Sequence, residues 1–201
     1  GPVSFYKLLQ NKGFLMAVFI LLAVRFANTI VNPSFPLIIR DILDSQERLN
    51  SVTGMIMAFA GLTGAISAGL LGYVGDRFGH RRIVIVCSIG TGITAVAHIM
   101  ADSVFSLTVI HLLFGAAVSG TLPAVNAMIR NHSDPRHMGK AFGAASAISM
   151  LGLAIGPLTG GLLAKTFDIR TPFIFAGICQ LIVVATTWRS RITSGPDDSK
   201  A

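Results

Sequence analysis

The sequence predicts an all-α membrane protein of six transmembrane helices, and three observations carry that expectation. Of 201 residues, 52% are hydrophobic and only 12% are charged, about half the roughly 25% charged content of a soluble chain. The mean hydropathy is +0.69. Apolar runs of about 20 residues, each long enough as a helix to cross about 30 Å of hydrocarbon, are separated by short polar breaks. None alternates apolar and polar residues as the roughly ten-residue strands of a membrane β-barrel would. The polar deficit argues against a soluble enzyme. A net charge of +7 raises nucleic acid as a partner, but Lys and Arg sit in short clusters between apolar runs rather than on one face. The expected partner is therefore a lipid bilayer and no nucleic acid.

The six spans run Phe14–Ile39, Ser51–Val74, Ile83–Ala101, Val104–Ile129, Gly139–Ala164 and Thr171–Trp188. The first holds Arg25 about 11 residues in, near the middle of a bilayer at about 1.5 Å per residue. Such a cation must face protein or water, since a central Arg costs about 2.5 to 3.5 kcal/mol on insertion scales. Arg25, Asn28 and Asn32 stand at i, i+3 and i+7 and form one stripe that ends at Pro33 and Pro36. The second span offers Gly61, Ala65, Ala68 and Gly72 as a packing ridge. In the third, His98 reads as structural. On the fourth, His111, Ser119 and Asn126 recur on one face, with Pro123 beside them, and His111 lies at a depth similar to Arg25. Either stripe reads equally as interhelical hydrogen-bonding glue. Cys87 and Cys179 match no metal or redox spacing and read as small apolar residues.

Basic residues set the direction. On one side fall Lys7, Lys12, Arg77, Arg81, Arg82, Arg130, Arg136, Lys140, Arg189, Arg191 and Lys200, and on the other only Arg40, Arg48, Lys165 and Arg170. Eleven against four places both termini in the cytoplasm. The expected organisation is a cytoplasmic amino-terminal segment (1–13), the bundle (14–188) and a cytoplasmic tail (189–201). The sequon Asn131-His132-Ser133 then falls on the cytoplasmic side, where it stays unglycosylated. No secretory signal is visible, and an opening Gly1-Pro2 without Met reads as a cut fragment or protease scar.

Between the second and third spans the chain reads G-Y-V-G-D-R-F-G-H-R-R, from Gly72 to Arg82. This resembles the cytoplasmic loop signature of the major facilitator superfamily, G-x-x-x-D-R-x-G-R-R, with Gly72, Asp76, Arg77, Gly79, Arg81 and Arg82 in place and His80 where a basic residue is usual. In the family this loop is thought to latch the cytoplasmic side closed. Gly72 suits a close helix approach and Gly79 a tight reversal, while Asp76 and the arginines offer a breakable charge network. The plainer reading is that the arginines only enforce topology.

In the fifth span Gly143 is followed by Gly152, Gly156-Pro157 and Gly160-Gly161. That spacing is similar to the signature of the drug:proton antiporter branch, G-x8-G-x3-G-P-x2-G-G. Gly152, Gly156 and Gly160 make a flat seam, and Pro157 denies the Leu153 carbonyl its helical partner, so a bend is expected. In the fourth span Leu107, His111 and Gly115 match a third signature, except that His111 stands where the family shows Arg. A fixed cation has become a titratable group, since histidine's unperturbed pKa is near 6.5.

The resemblance implies that six spans form one half of a twelve-helix fold, built as two inverted three-helix repeats whose first helices, here the first and fourth spans, line a central cavity. It implies a secondary transporter moving small organic solutes or drugs by alternating access, with proton-coupled efflux as the expected mode. The substrate or proton pathway is then Arg25, Asn28, Asn32, His111, Ser119 and Asn126. Its partners are a small-molecule substrate, protons and a second six-helix bundle, either the missing half or a second copy. A hydrophilic tail after the sixth span favours the carboxyl-terminal half, and a bacterial inner membrane is the expected location. Membrane-embedded carboxylates, usual in proton-driven members, are missing: all nine acids lie in loops or at helix ends. An absent half supplying the carboxylate, His111 substituting for it, and a facilitator without coupling remain open. So do a half-size homodimeric transporter and a non-transporting receptor or assembly factor. No enzyme site, cofactor or metal is expected.

Overall fold

A computed structural model of the chain describes residues 10–43 and 48–189. The expected terminal segments, with Lys7, Arg191 and Lys200, lie outside the described residues except for positions 10–13 and 189. Helices α1 (Lys12–Thr29), α2 (Phe35–Leu43), α3 (Leu49–Phe78), α4 (His80–Ala97), α5 (Val104–Asn131), α6 (Met138–Thr166) and α7 (Thr171–Arg189) account for nearly all of the described residues, among which there is no strand. Six are long and apolar enough to cross a membrane, all but α2. The shortest of these, α1, has 18 residues, or about 27 Å at 1.5 Å per residue.

The first expected span, Phe14–Ile39, is not one helix. Its α-helix stops at Thr29, and tight turns follow in which Asn32 N–H reaches Thr29 O at 3.1 Å and Ser34 N–H reaches Val31 O at 3.1 Å. Pro33 is the cause, because it has no N–H to give and its ring collides with the carbonyl of Thr29 in a continuing helix. At the other end α1 is capped by Asn11, whose side-chain oxygen accepts from Gly13 N–H at 3.0 Å and Phe14 N–H at 3.1 Å. The Asn11 amide also donates to His132 O at 2.9 Å, tying the start of α1 to the end of α5. Between α3 and α4 the reversal takes one residue, Gly79, at φ 94°, a left-handed value that favours glycine. Ser103 and Ser106 form a reciprocal capping box at the start of α5.

Two inverted three-helix repeats organise the bundle. The span order α1, α3, α4 repeats as α5, α6, α7, running in the opposite direction. Contacts follow the same exchange: α3 packs along α5 as α6 packs along α1, α4 meets α5 as α7 meets α1, and α4 pairs with α7 across the centre. Small residues make the two equivalent seams. On α3 and α5, a Cβ on Gly115 would lie 2.7 Å from Ala60 O, and Gly64 abuts Ser119 Oγ. Across the same seam Thr63 donates to Leu112 O at 3.3 Å and Ser67 to Ala116 O at 2.6 Å.

The ridge expected at Gly61, Ala65, Ala68 and Gly72 is on the wrong face of that helix. A Cβ on Gly61 or Gly72 would meet nothing within 4 Å. Helix α3 turns Ala60, Gly64, Thr63 and Ser67 inward instead, because only they offer α5 both a close backbone approach and a hydroxyl for its carbonyls. Outward-facing positions are apolar, among them Leu62, Leu70, Leu158 and Leu181, each more than half exposed. That is the surface a bilayer requires of a bundle whose polar groups are few.

Candidate functional site

The candidate residues form three groups. At mid-bundle, Arg25 is half-buried, with its Cβ side toward Gly152 of α6. Its Nε is buried without a hydrogen-bond partner among the described residues. One turn on, Asn28 Oδ1 accepts from Gln180 Nε2 of α7 at 3.1 Å. Gln180 is itself buried, and its Oε1 has no hydrogen-bond partner among the described residues. Asn32 does not continue the stripe, for it lies exposed in the turn that Pro33 forces after α1.

The second group lies where α4 and α5 face each other across the turn at residues 98–103. His111 Nδ1 and His98 Nε2 are 3.0 Å apart, and His98 Nδ1 is 2.7 Å from Thr94 O. Phenylalanines from three helices enclose the rings. Phe35 stacks on His111 with centroids 3.8 Å apart, Phe173 stacks on His98 at 4.7 Å, and Phe114 stands 5.7 Å from His111. Of the other α5 positions expected on the His111 stripe, Ser119 faces Gly64 in the α3 seam and Asn126 is exposed at the far end. The three thus meet three different neighbours.

The third group is at the end carrying the Gly72–Arg82 loop. A cleft of about 240 Å³ there is lined by Gly72, Asp76, His80, Asn126, Arg130 and Phe142, among others. Asp76 Oδ1 is 3.3 Å from His80 Nε2, whereas Arg77 lies over the ring of its neighbour Phe78 at 5.7 Å. Gly75 leaves room for the imidazole, since a Cβ there would lie 2.9 Å from His80 Nδ1. Arg81 turns into its own bundle, where its guanidinium donates to Thr187 O at 3.1 Å and Trp188 O at 2.5 Å. It thereby caps the last carbonyls of α7. Arg82 is exposed.

The glycines of α6 lie against the break in the first span. Gly152 faces Leu22 O, to which a Cβ would approach within 2.7 Å, Gly156 abuts Thr29, and Gly160 abuts the carbonyl of Ile30. Thr29 Oγ1 also donates to Gly152 O at 3.3 Å. Pro157 falls between these contacts, so the proline-bearing turn of α6 runs beside the proline-broken turn after α1. Gly143 and Gly161 have open space where a Cβ would be.

Reading the sequence missed His98 and Gln180 as partners of His111 and Asn28. The available signal was a polar side chain inside an apolar run, but a separation of 152 residues for the second pair gave no hint of which residue it meets. We expect a double-mutant cycle over Asn28→Ala and Gln180→Ala, read by thermal unfolding in detergent, to return a coupling of roughly 0.6 to 1.7 kcal/mol. A coupling of zero would remove Gln180 from the group. Among the described residues no cluster of three or more His, Cys, Asp or Glu could hold a metal ion.

A family model described as Major Facilitator Superfamily matches residues 17–201. Relatives include the "Multidrug resistance protein MdtG" of Dickeya zeae (strain Ech586), 28% identical over 183 residues, which cover 90% of this chain and 45% of that protein. The "Uncharacterized MFS-type transporter YuxJ" of Bacillus subtilis (strain 168) is 30% identical over 167 residues, covering 80% and 42%. The "Multi-drug resistance efflux pump PmrA" of Streptococcus pneumoniae serotype 4 (strain ATCC BAA-334 / TIGR4) is 27% identical over 156 residues, covering 78% and 39%. The chain spans less than half the length of these curated relatives.

Proposed function

The chain belongs to the major facilitator superfamily as an integral membrane protein, a family of transporters rather than enzymes, and from that premise we propose that it is one wall of a drug or small-solute efflux carrier. The observation that carries this reading is the inverted pair of three-helix repeats with a half-buried arginine, its Nε unpartnered, on the first helix. A guanidinium half-buried within a membrane span is costly and is retained mostly where it lines a pathway or pairs with another group. A second six-helix bundle forms the opposite wall, consistent with relatives more than twice as long. Two of the three relatives are named as multidrug resistance or efflux proteins, which points to small organic solutes as substrate.

Alternating access then proceeds by rocking of this bundle against the other. Asn28 and Gln180, with one amide oxygen still unpaired, supply polar contacts beside Arg25. The paired prolines at Pro33 and Pro157 mark where α1 and α6 bend together. Asp76, Arg77 and Arg82 are exposed charges at the basic end, free to meet the second bundle and latch that side closed. Gly72, Gly79 and Arg81 shape and anchor this loop. The excess of basic residues there supports a cytoplasmic position for that end and for both termini, in what we take to be a bacterial inner membrane. Protons are the proposed coupling ion.

The test is flux of a fluorescent organic cation in proteoliposomes made from the full reading frame that carries this chain. Transport driven by a pH gradient is expected, and Asp76→Asn should slow it by about tenfold, a rise of roughly 1.4 kcal/mol in the gating barrier. Movement of no solute under any gradient would favour a receptor or assembly role on the same scaffold.

A further inference from the structure

We propose that His98 and His111 form a two-histidine proton-accepting site in which Nε2 of His111 takes the proton and His98 is the positioning residue that decides this. Its use in coupling rests on the transport reading above, but the site's existence does not. Proton accounting leads to it directly. A carbonyl oxygen only accepts, so the 2.7 Å contact with Thr94 O requires a hydrogen on His98 Nδ1. The neutral ring then carries its lone pair on Nε2. That lone pair faces His111 Nδ1 at 3.0 Å, so His111 must donate there. Both rings are Nδ1–H tautomers, and the one lone pair left over is on His111 Nε2.

Exposure separates the two rings, while burial among apolar side chains makes a charge on either of them costly. His98 has no exposed surface, whereas His111 keeps 8%, so a proton arrives at His111. Binding forms one N–H bond and breaks none. The added charge spreads over an imidazolium lying against the faces of Phe35 and Phe114. Its Nδ1–H to His98 Nε2 becomes a charge-assisted hydrogen bond and strengthens. The three phenylalanines belong to one buried apolar cluster with Val31 after α1, Ile38 of α2, Ile56 of α3, Leu107 of α5 and Ala176 of α7. No charged side chain among the described residues bonds to either ring; those on the packed elements are Lys12 and Arg25 of α1, Arg40 and Asp41 of α2, Asp76 and Arg77 of α3, His80, Arg81 and Arg82 at the start of α4, Asp102 in the turn before α5, Arg130 near the end of α5 and Arg189 at the end of α7. Arg170, just before α7, reaches Ile99 O at 3.1 Å and Asp41 at 3.9 Å. A bond that only glued helices together would hold the same contacts without taking up a proton.

Nitrogen-15 NMR of histidine-labelled full-length chain in lipid nanodiscs separates these cases. The expected spectrum shows both rings as Nδ1–H, with a through-hydrogen-bond coupling between His98 Nε2 and His111 Nδ1. On acidification His111 Nε2 becomes protonated first while that coupling persists. His98→Ala should return His111 to the Nε2–H tautomer common in water, and His98→Gln, whose amide oxygen still accepts, should keep the Nδ1–H form. Overturning results are a His111 that carries its hydrogen on Nε2 in the unaltered protein, or one that takes up no proton on acidification. In proteoliposomes His111→Gln should reduce gradient-driven accumulation of a fluorescent organic cation to the level without a gradient while exchange continues. Undiminished accumulation would overturn the site's role in coupling. Absence of all flux in the unaltered protein would sink the transporter reading and leave the NMR result standing.

Discussion

Replacing Arg25 with leucine is expected to stop transport while making the bundle harder to unfold. The two effects have one origin. Arg25 stands about one turn before the end of α1, half-buried within the first span, and its Nε has no hydrogen-bond partner among the described residues. An arginine at the helix centre costs about 2.5 to 3.5 kcal/mol on insertion scales, and leucine removes that cost while filling most of the same space. Part of it should appear as a rise of several degrees in the unfolding temperature in nanodiscs, at roughly 2 to 4 °C per kcal/mol for a chain of this size. Flux should fall at least about a hundredfold, the equivalent of about 2.7 kcal/mol, because leucine restores neither charge nor donor. Arg25→Lys should recover part of the flux, since it keeps the charge but not the planar fork. A leucine variant that is both less stable and fully active would show that Arg25 is a structural strut.

Gly160→Val is expected to prevent assembly of the bundle. The first side-chain carbon at 160 would overlap the carbonyl oxygen of Ile30, with the carbonyl carbon 2.8 Å away and the Cα 3.3 Å away. All three are backbone atoms, so no rotamer change relieves the clash. Helix α6 would have to lift from α1, taking with it the close contacts of Gly152 and Gly156. Overpacking in a well-packed core costs roughly 1 to 3 kcal/mol when side chains can yield, and here none can. The expected readout is loss of monodisperse protein on size-exclusion chromatography after extraction. Gly161→Val and Gly143→Val are the controls, because open space surrounds both. Equal damage from Gly161→Val would mean that glycine matters in α6 through something other than the α1 contact.

That contrast shows where reading a sequence stops. Glycines 160 and 161 are adjacent and both fit the same motif, yet one touches backbone and its neighbour faces outward. The same limit misplaced the α3 ridge, expected along Gly61, Ala65, Ala68 and Gly72 and found along Ala60, Thr63, Gly64 and Ser67, a rotation of roughly a third of a turn about the helix axis. It also hid the partners of Asn28 and His111. His98 sits only thirteen residues before His111, but a turn intervenes, and no periodicity carries across it.

Six spans, an all-helical fold, a tight reversal at Gly79 and a polar residue count too small for a soluble globule were all legible along the chain. Membrane thickness is a constraint on length and apolarity, and both are properties of consecutive residues. The inward face of each helix and the pairing of His98 with His111 and of Gln180 with Asn28 were decided only by the packed bundle. Rotation of a helix about its axis is set by which face finds a neighbour able to accept its backbone approach and its hydrogen bonds, and that neighbour is distant in sequence.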